Sequence, residues 1–158
     1  MRKISPCLWF DRQAEEAVEL YLSVFDDSRV VHVERYGEAG PREEGSVMTI
    51  EFELAGQSYL ALNGGPEFVF NEAMSLYVSC EDQEEIDRYW SKLTADGGQE
   101  GPCGWLKDRF GVSWQIVPRV LNELIADPDR AKSARVTRAM FGMGKLDIAG
   151  LQAAAAAG

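Results

Sequence analysis

"SLYVSCEDQEEIDRYWSKLTADGG", residues 75–98, changes its apolar period part-way along. Residues 75–80 are short, β-branched and aromatic, which predicts a strand. From Asp82 onward the apolar residues recur as Ile86, Tyr89, Trp90 and Leu93, one face of a helix. Asp82 is placed to cap that helix, and Gly97-Gly98 to end it. The same order occurs earlier in the chain. Residues 4–10, "ISPCLWF", read as a strand, and residues 12–25 as a helix with Ala14, Ala17, Val18, Tyr21, Leu22 and Phe25 on one face. Side by side, Leu8 corresponds to Leu76, Trp9 to Tyr77, Phe10 to Val78, Glu15-Glu16 to Glu84-Glu85 and Tyr21 to Trp90. A repeat at about 70 residues is too long for a solenoid. It suits a duplicated β-α-β-β-β module whose two sheets share a cleft.

The remaining strands fit that module. "RVVHVERY" (29–36), "SVMTIEFEL" (46–54) and "QSYLALN" (57–63) are rich in β-branched and aromatic residues. Ala55-Gly56 is a two-residue hairpin loop. In the second module a short strand is expected near Pro102-Cys103. "CGWLKDRFGVSWQIVP" (103–118) then reads as a hairpin. After Pro118 come helices over 119–126, 128–142 and 147–155, with Pro128 in the first turn of the second and an apolar stripe of Val136, Met140 and Met143. Helices this short must dock on something, either the same sheet or a partner subunit. The expected organisation is one α+β domain: modules at 1–73 and 74–118, and a C-terminal helical extension at 119–158.

Composition bounds the function. The 158 residues suffice for a full core. A net charge of −10 argues against a nucleic-acid partner, which needs Lys and Arg against phosphate. No apolar run reaches the roughly 18 residues of a membrane span, and "MRKISPCLWFDRQ" turns polar too early for a secretory signal. Cys7, Cys80 and Cys103 form neither a disulfide framework nor a zinc cluster. A reduced, cytoplasmic protein is expected.

The duplicated module resembles the vicinal-oxygen-chelate superfamily of glyoxalase I, bleomycin-resistance proteins and extradiol dioxygenases. "FNEAMSLYVSCEDQEEIDRYWSKLTADGG" followed by "CGWLKDRFGVSWQIVP" is similar to its PhnB-like branch, as is the tail "MGKLDIAGLQAAAAAG". Members of that branch are often labelled 3-demethylubiquinone 3-methyltransferase. The residues give the label no support. The first strand runs into "FDRQ", without the Gly-rich loop of a doubly wound cofactor-binding sheet.

The resemblance implies where a site would lie. Metal-dependent members carry ligands on the first strand of each module and late in each module. The last ligand is a glutamate in a pattern like D-P-x-G-N-x-x-E. Laid on this chain, Asp108 takes the D, Gly111 the G and Gln115 the final E. Ser75 opens the second module, Ser5 or Cys7 the first, and Ala61 or Asn63 takes the remaining place. None is histidine or carboxylate, and a transition metal wants about four stronger ligands. His32, the only histidine, has no acid at ligand spacing along its strand. Asp108 reads as a turn residue bonding local N–H groups. If Gln115 faces the cleft, so do Ser113 and Val117, with Trp114 and Ile116 behind; Cys7 brings Trp9, and Ser75 brings Tyr77. Gln115 is also readable as a buried amide bonded to backbone. The candidate ligand-binding residues are Cys7, Trp9, Asn71, Ser75, Tyr77, Trp105, Ser113 and Gln115, with no metal ligand among them.

Three functions follow in order of preference. The first is a protein that binds or sequesters a small molecule in an aromatic cleft. The second is a superfamily isomerase, lyase or oxygenase with atypical metal ligands. The third is the methyltransferase of the family label. No cofactor is expected, nor a nucleic-acid or membrane partner. A two-fold homodimer is expected, as the commonest soluble assembly.

Overall fold

The computed structural model describes residues 2–158, which form two compact units, one up to Phe70 and one from Asn71 to Gly158. The first unit comprises β1 (Cys7–Phe10), α1 (Ala14–Val24), β2 (Ser28–Arg35), β3 (Val47–Leu54) and β4 (Gln57–Asn63). Its four strands lie in the order β1-β4-β3-β2, with β1 parallel to β4 and the rest antiparallel. The second unit repeats this with β5 (Ser75–Cys80), α2 (Gln83–Thr94), β6 (Gln99–Glu100), β7 (Trp105–Lys107) and β8 (Ser113–Pro118). Its order is β5-β8-β7-β6, with β5 parallel to β8. The two modules therefore share one topology, as the aligned repeat required.

Each helix covers one face of its own sheet. In α1 the buried positions are Ala14, Ala17, Val18, Tyr21 and Val24. Tyr21 stacks on Phe52 of β3 with ring centroids 6.3 Å apart. Val24 replaces Leu22 in the expected stripe: it lies one helical step from Tyr21, while Leu22 has turned half-way to solvent. In α2, Ile86, Tyr89, Trp90 and Leu93 are buried, and the Asp82 side chain accepts from Glu85 N at 2.9 Å.

Several boundaries differ from expectation: β1 begins at Cys7 rather than residue 4, and α1 spans Ala14–Val24 rather than 12–25. No strand forms at Pro102-Cys103. The strand is Gln99–Glu100, and residues 102–105 make a turn closed by Trp105 N donating to the Pro102 carbonyl at 3.0 Å. Cys103 and Gly104 both have positive φ there, 57° and 82°, a conformation that leaves the β region. The helix expected over 128–142 starts at Arg130 rather than Pro128. Asp129 is its cap, accepting from Ala131 N and Lys132 N.

The C-terminal helices α3 (Arg119–Ile125), α4 (Arg130–Phe141) and α5 (Ile148–Ala156) find their docking surface within the second unit. Val117, Leu121, Val136, Leu146 and Leu151 form one buried cluster, with Met140 and Met143 packed against it. Arg135 donates to the carbonyls of Ala154 and Ala155 at 3.1 Å each, placing a cation on the last turn of α5. The apolar stripe of the tail therefore needs no partner subunit to be covered.

The β3–β4 hairpin supplies a test. Its loop residues Ala55 and Gly56 have φ of 47° and 75°, the mirror-image turn that matches strand twist. Ala55 bears a Cβ in the left-handed region, where asparagine is favoured. Ala55→Asn is expected to stabilise by about 0.5–1 kcal/mol, and Ala55→Val to destabilise. Urea midpoints at constant slope measure both.

Candidate functional site

Cross-strand register settles which side chains share the sheet face opposite α2. Tyr77 pairs with Gln115 and Gln115 with Trp105, so these three form one row. Ser75 pairs with Ser113 and Ser113 with Lys107, forming the next. Trp114 and Ile116 point the other way and are fully buried against α2. Six polar or amphipathic residues thus lie together on one face of the second module.

Gln115 is half-buried and donates through Nε2 to the Ser75 hydroxyl at 2.9 Å. Its amide thus bonds a side chain on the same face, not backbone. Tyr77, half exposed, accepts from Asn122 Nδ2 of α3 at 3.1 Å. Val117 departs from expectation. It belongs to the face of Gln115 by strand period, yet Leu121 and the tail helices cover it. The open face therefore ends where α3 begins.

At the other end Trp105, Lys107 and Ser113 line a cavity of about 420 Å³ with Glu72, Gln99 and Pro102. Ser113 is 1% exposed, and its Oγ has no hydrogen-bond partner. Lys107 Nζ contacts Glu72 Oε1 at 2.5 Å, and that hydrogen bond holds the Glu72 carboxyl below the usual carboxylate range. Sequence reasoning missed Lys107, although it lies two residues from Trp105 and strand period alone puts both on one face. Asn71, at the start of this unit, is exposed. Its Oδ1 accepts from Ala73 N at 2.9 Å, an Asx turn that orders the approach to β5.

In the first unit, Cys7 pairs with Leu60 and Trp9 with Leu62 on the face opposite α1. Trp9 is held by its Nε1 donating to the Gly65 carbonyl at 2.8 Å and by Phe68 set edge-on at 5.0 Å. Gly64 lies under the indole, and a Cβ there would come within 2.4 Å of the ring. Ala61 and Asn63, the two candidates for a ligand position, both face α1 instead and are buried. Asn63 has a structural task. Its Oδ1 accepts from Ala14 N at 2.9 Å, capping α1, whose own N-cap Gln13 makes no side-chain bond to the helix. Its Nδ2 donates to Glu15 Oε2 at 2.7 Å and to the Val47 carbonyl at 3.0 Å.

Asp108 is a turn residue, as expected, with one addition. Its Oδ1 accepts from Phe110 N and Val112 N, and its Oδ2 accepts from the buried Trp114 Nε1 at 2.9 Å. One carboxylate thus shapes the hairpin and satisfies the indole behind it.

The donor chemistry is poor for metal. Among the described residues no three His, Cys, Asp or Glu side chains are grouped to hold an ion. Register does set Glu51 across from His32, a neighbour that spacing along one strand could not reveal. Burial pushes the Cys80 thiol up to about 12. Cys7 is exposed as a residue, but its neighbours desolvate the sulfur and raise its pKa as well. Both are neutral thiols at pH 7, whereas a metal or nucleophile role needs the thiolate.

Three tests follow. Asn63→Leu removes a cap and leaves the Val47 carbonyl unpaired; a loss of about 2–4 kcal/mol is expected by urea denaturation. Asp108→Asn keeps the shape but weakens three charge-assisted bonds, with about 1.5–3 kcal/mol lost in the same assay and a changed Trp114 environment by near-UV dichroism. At pH 8 a thiol reagent should modify Cys7 in the native protein and Cys80 only after unfolding; rapid native labelling of Cys80 would contradict its burial.

A sequence model of the 3-demethylubiquinone-9 3-methyltransferase family matches residues 2–117. The match stops within β8 and does not reach the tail helices. The PhnB protein of Bacillus cereus is 41% identical, with a TM-score of 0.66, over 74% of this chain and 99% of that one. Protein PA1353 from Pseudomonas aeruginosa is 18% identical, with a TM-score of 0.61, over 75% and 98%. The fosfomycin resistance protein FosX from Mesorhizobium loti is 15% identical, with a TM-score of 0.57, over 80% and 99%. These last two likenesses are of fold alone. No curated protein matches the chain. With nearly three quarters of its length matched by the family model and a PhnB relative at 41% identity, this chain belongs to the 3-demethylubiquinone-9 3-methyltransferase (PhnB) family.

Proposed function

We propose that this PhnB-family protein binds a small molecule on the open face of its second module, without a conventional metal site. The observation that carries the reading is the row Tyr77–Gln115–Trp105 beside the Ser75–Gln115 hydrogen bond. Two aromatic walls with an amide and hydroxyls between them suit a flat organic molecule. The position that the superfamily resemblance assigns to a metal-binding glutamate holds a neutral amide already bonded to Ser75. Cys7 and Trp9 offer a second aromatic surface on the first module.

The methyltransferase named in the family description fits less well. Each sheet has four strands of mixed direction, and residues 11–13 between β1 and α1 contain no glycine. That is not the doubly wound parallel sheet with a Gly-rich first turn. An isomerase, lyase or oxygenase with unusual ligands is the second reading.

A fluorescence and thermal-shift screen of planar aromatic compounds tests the first reading. Hits should shift tryptophan emission, and Trp105→Ala or Gln115→Leu should weaken them by about tenfold. Hits indifferent to both variants would refute it. S-adenosylmethionine at 100 times its Kd would stabilise by about 2.7 kcal/mol if the third reading held; no shift is expected. Stoichiometric metal in the purified protein would favour the second. The reading includes a two-fold homodimer, in a cytoplasmic setting; a monomer by light scattering at micromolar concentration would remove the dimer.

A further inference from the structure

The cavity beside Trp105 brings an ion pair and an unpaired hydroxyl into one wall. Ser113 is 1% exposed, and its Oγ donates to nothing and accepts from nothing. A buried hydroxyl left unpaired is costly, and such a group invites an acceptor. Lys107 is its register partner on β7, so an ammonium and a hydroxyl rise from the same row of the sheet. The Lys107 ammonium is occupied by Glu72, whose side chain is 62% exposed and free to swing into solvent. Glu100, the other carboxylate in the wall, is committed elsewhere, accepting from Trp90 Nε1 at 2.7 Å. Trp105 and Pro102 supply the flat apolar wall.

We infer that this cavity takes a planar aromatic carboxylate, whose carboxylate replaces that of Glu72 on Lys107 and accepts the Ser113 hydroxyl while its ring lies against Trp105. The inference rests on the small-molecule reading above and adds the ligand's charge and its competitor. Glu72 then acts as an internal plug. An exposed ion pair is weak enough for a small anion to displace it. A ligand without negative charge leaves the plug in place and can meet only the Ser113 hydroxyl, not the Lys107 ammonium.

Three one-ring probes that differ only in the polar group separate the outcomes: benzoate, benzamide and benzylamine, titrated by tryptophan fluorescence. Benzoate should bind best. Glu72→Gln should tighten benzoate by roughly threefold and leave benzamide unchanged. Ser113→Ala should weaken benzoate by roughly tenfold. Lys107→Gln should abolish benzoate binding, and Lys107→Arg should retain it, which separates lost charge from lost fold. Benzamide or benzylamine binding as tightly as benzoate, with dependence on Trp105 but none on Glu72, would overturn the exchange and leave the small-molecule reading standing. No binding of any probe to wild type or Glu72→Gln would overturn the exchange, and failure of the wider compound screen as well would overturn both.

Discussion

One helix cannot cover both faces of a four-stranded sheet. A helix packs on one side of a sheet, and the other side of each strand carries the alternate residues. Each module here has one α-helix, so within its own module one face of each sheet has no helix laid across it. The edge strand β2 is exposed along nearly its whole length, Val30, Val31 and Val33 included. The open face of the second module then takes the residues a core would reject. Gln115, Ser75, Lys107 and Tyr77 all lie there, while Trp114, Ile116 and Leu106 pack behind.

Four buried or half-buried polar residues could each have been read as chemistry, and their hydrogen bonds separate them. Asn63 and Asp108 are fully employed: the first caps a neighbouring helix, and the second orders a turn and pairs an indole. Buried polar groups satisfied this way hold structure together. Ser113 is the opposite case, buried without a partner. Gln115 lies between them, bonded to Ser75 but half accessible. A site is better sought where polar capacity is left over than where polar residues simply occur.

The C-terminal helices show the same economy of surface. They close the Val117 end of the open face and bury their own stripe on it. Because the family match ends at residue 117, this cover is a feature of the tail and lies outside the shared modules. What stays uncovered on that face are the rows of Tyr77, Gln115 and Trp105 and of Ser75, Ser113 and Lys107.

The sequence by itself determined what depends on near neighbours in the chain. The strand at 75–80, the hairpin at 55–56, the Asp82 cap and the faces of both amphipathic helices were legible because period, turn chemistry and capping act over a few residues. Strand period also placed Trp9, Tyr77 and Gln115 on one kind of face before any neighbour was known. The tertiary structure alone decided what depends on which strands meet and in what register. It turned Ala61 and Asn63 toward α1, set Glu51 across from His32, joined Gln115 to Ser75 and Lys107 to Glu72, and covered Val117 with the tail. These contacts join residues up to tens of positions apart, and period-2 alternation fixes a face without naming the side chain beside it. A one-residue difference in register exchanges the two faces, so only the paired strands could settle which polar groups meet.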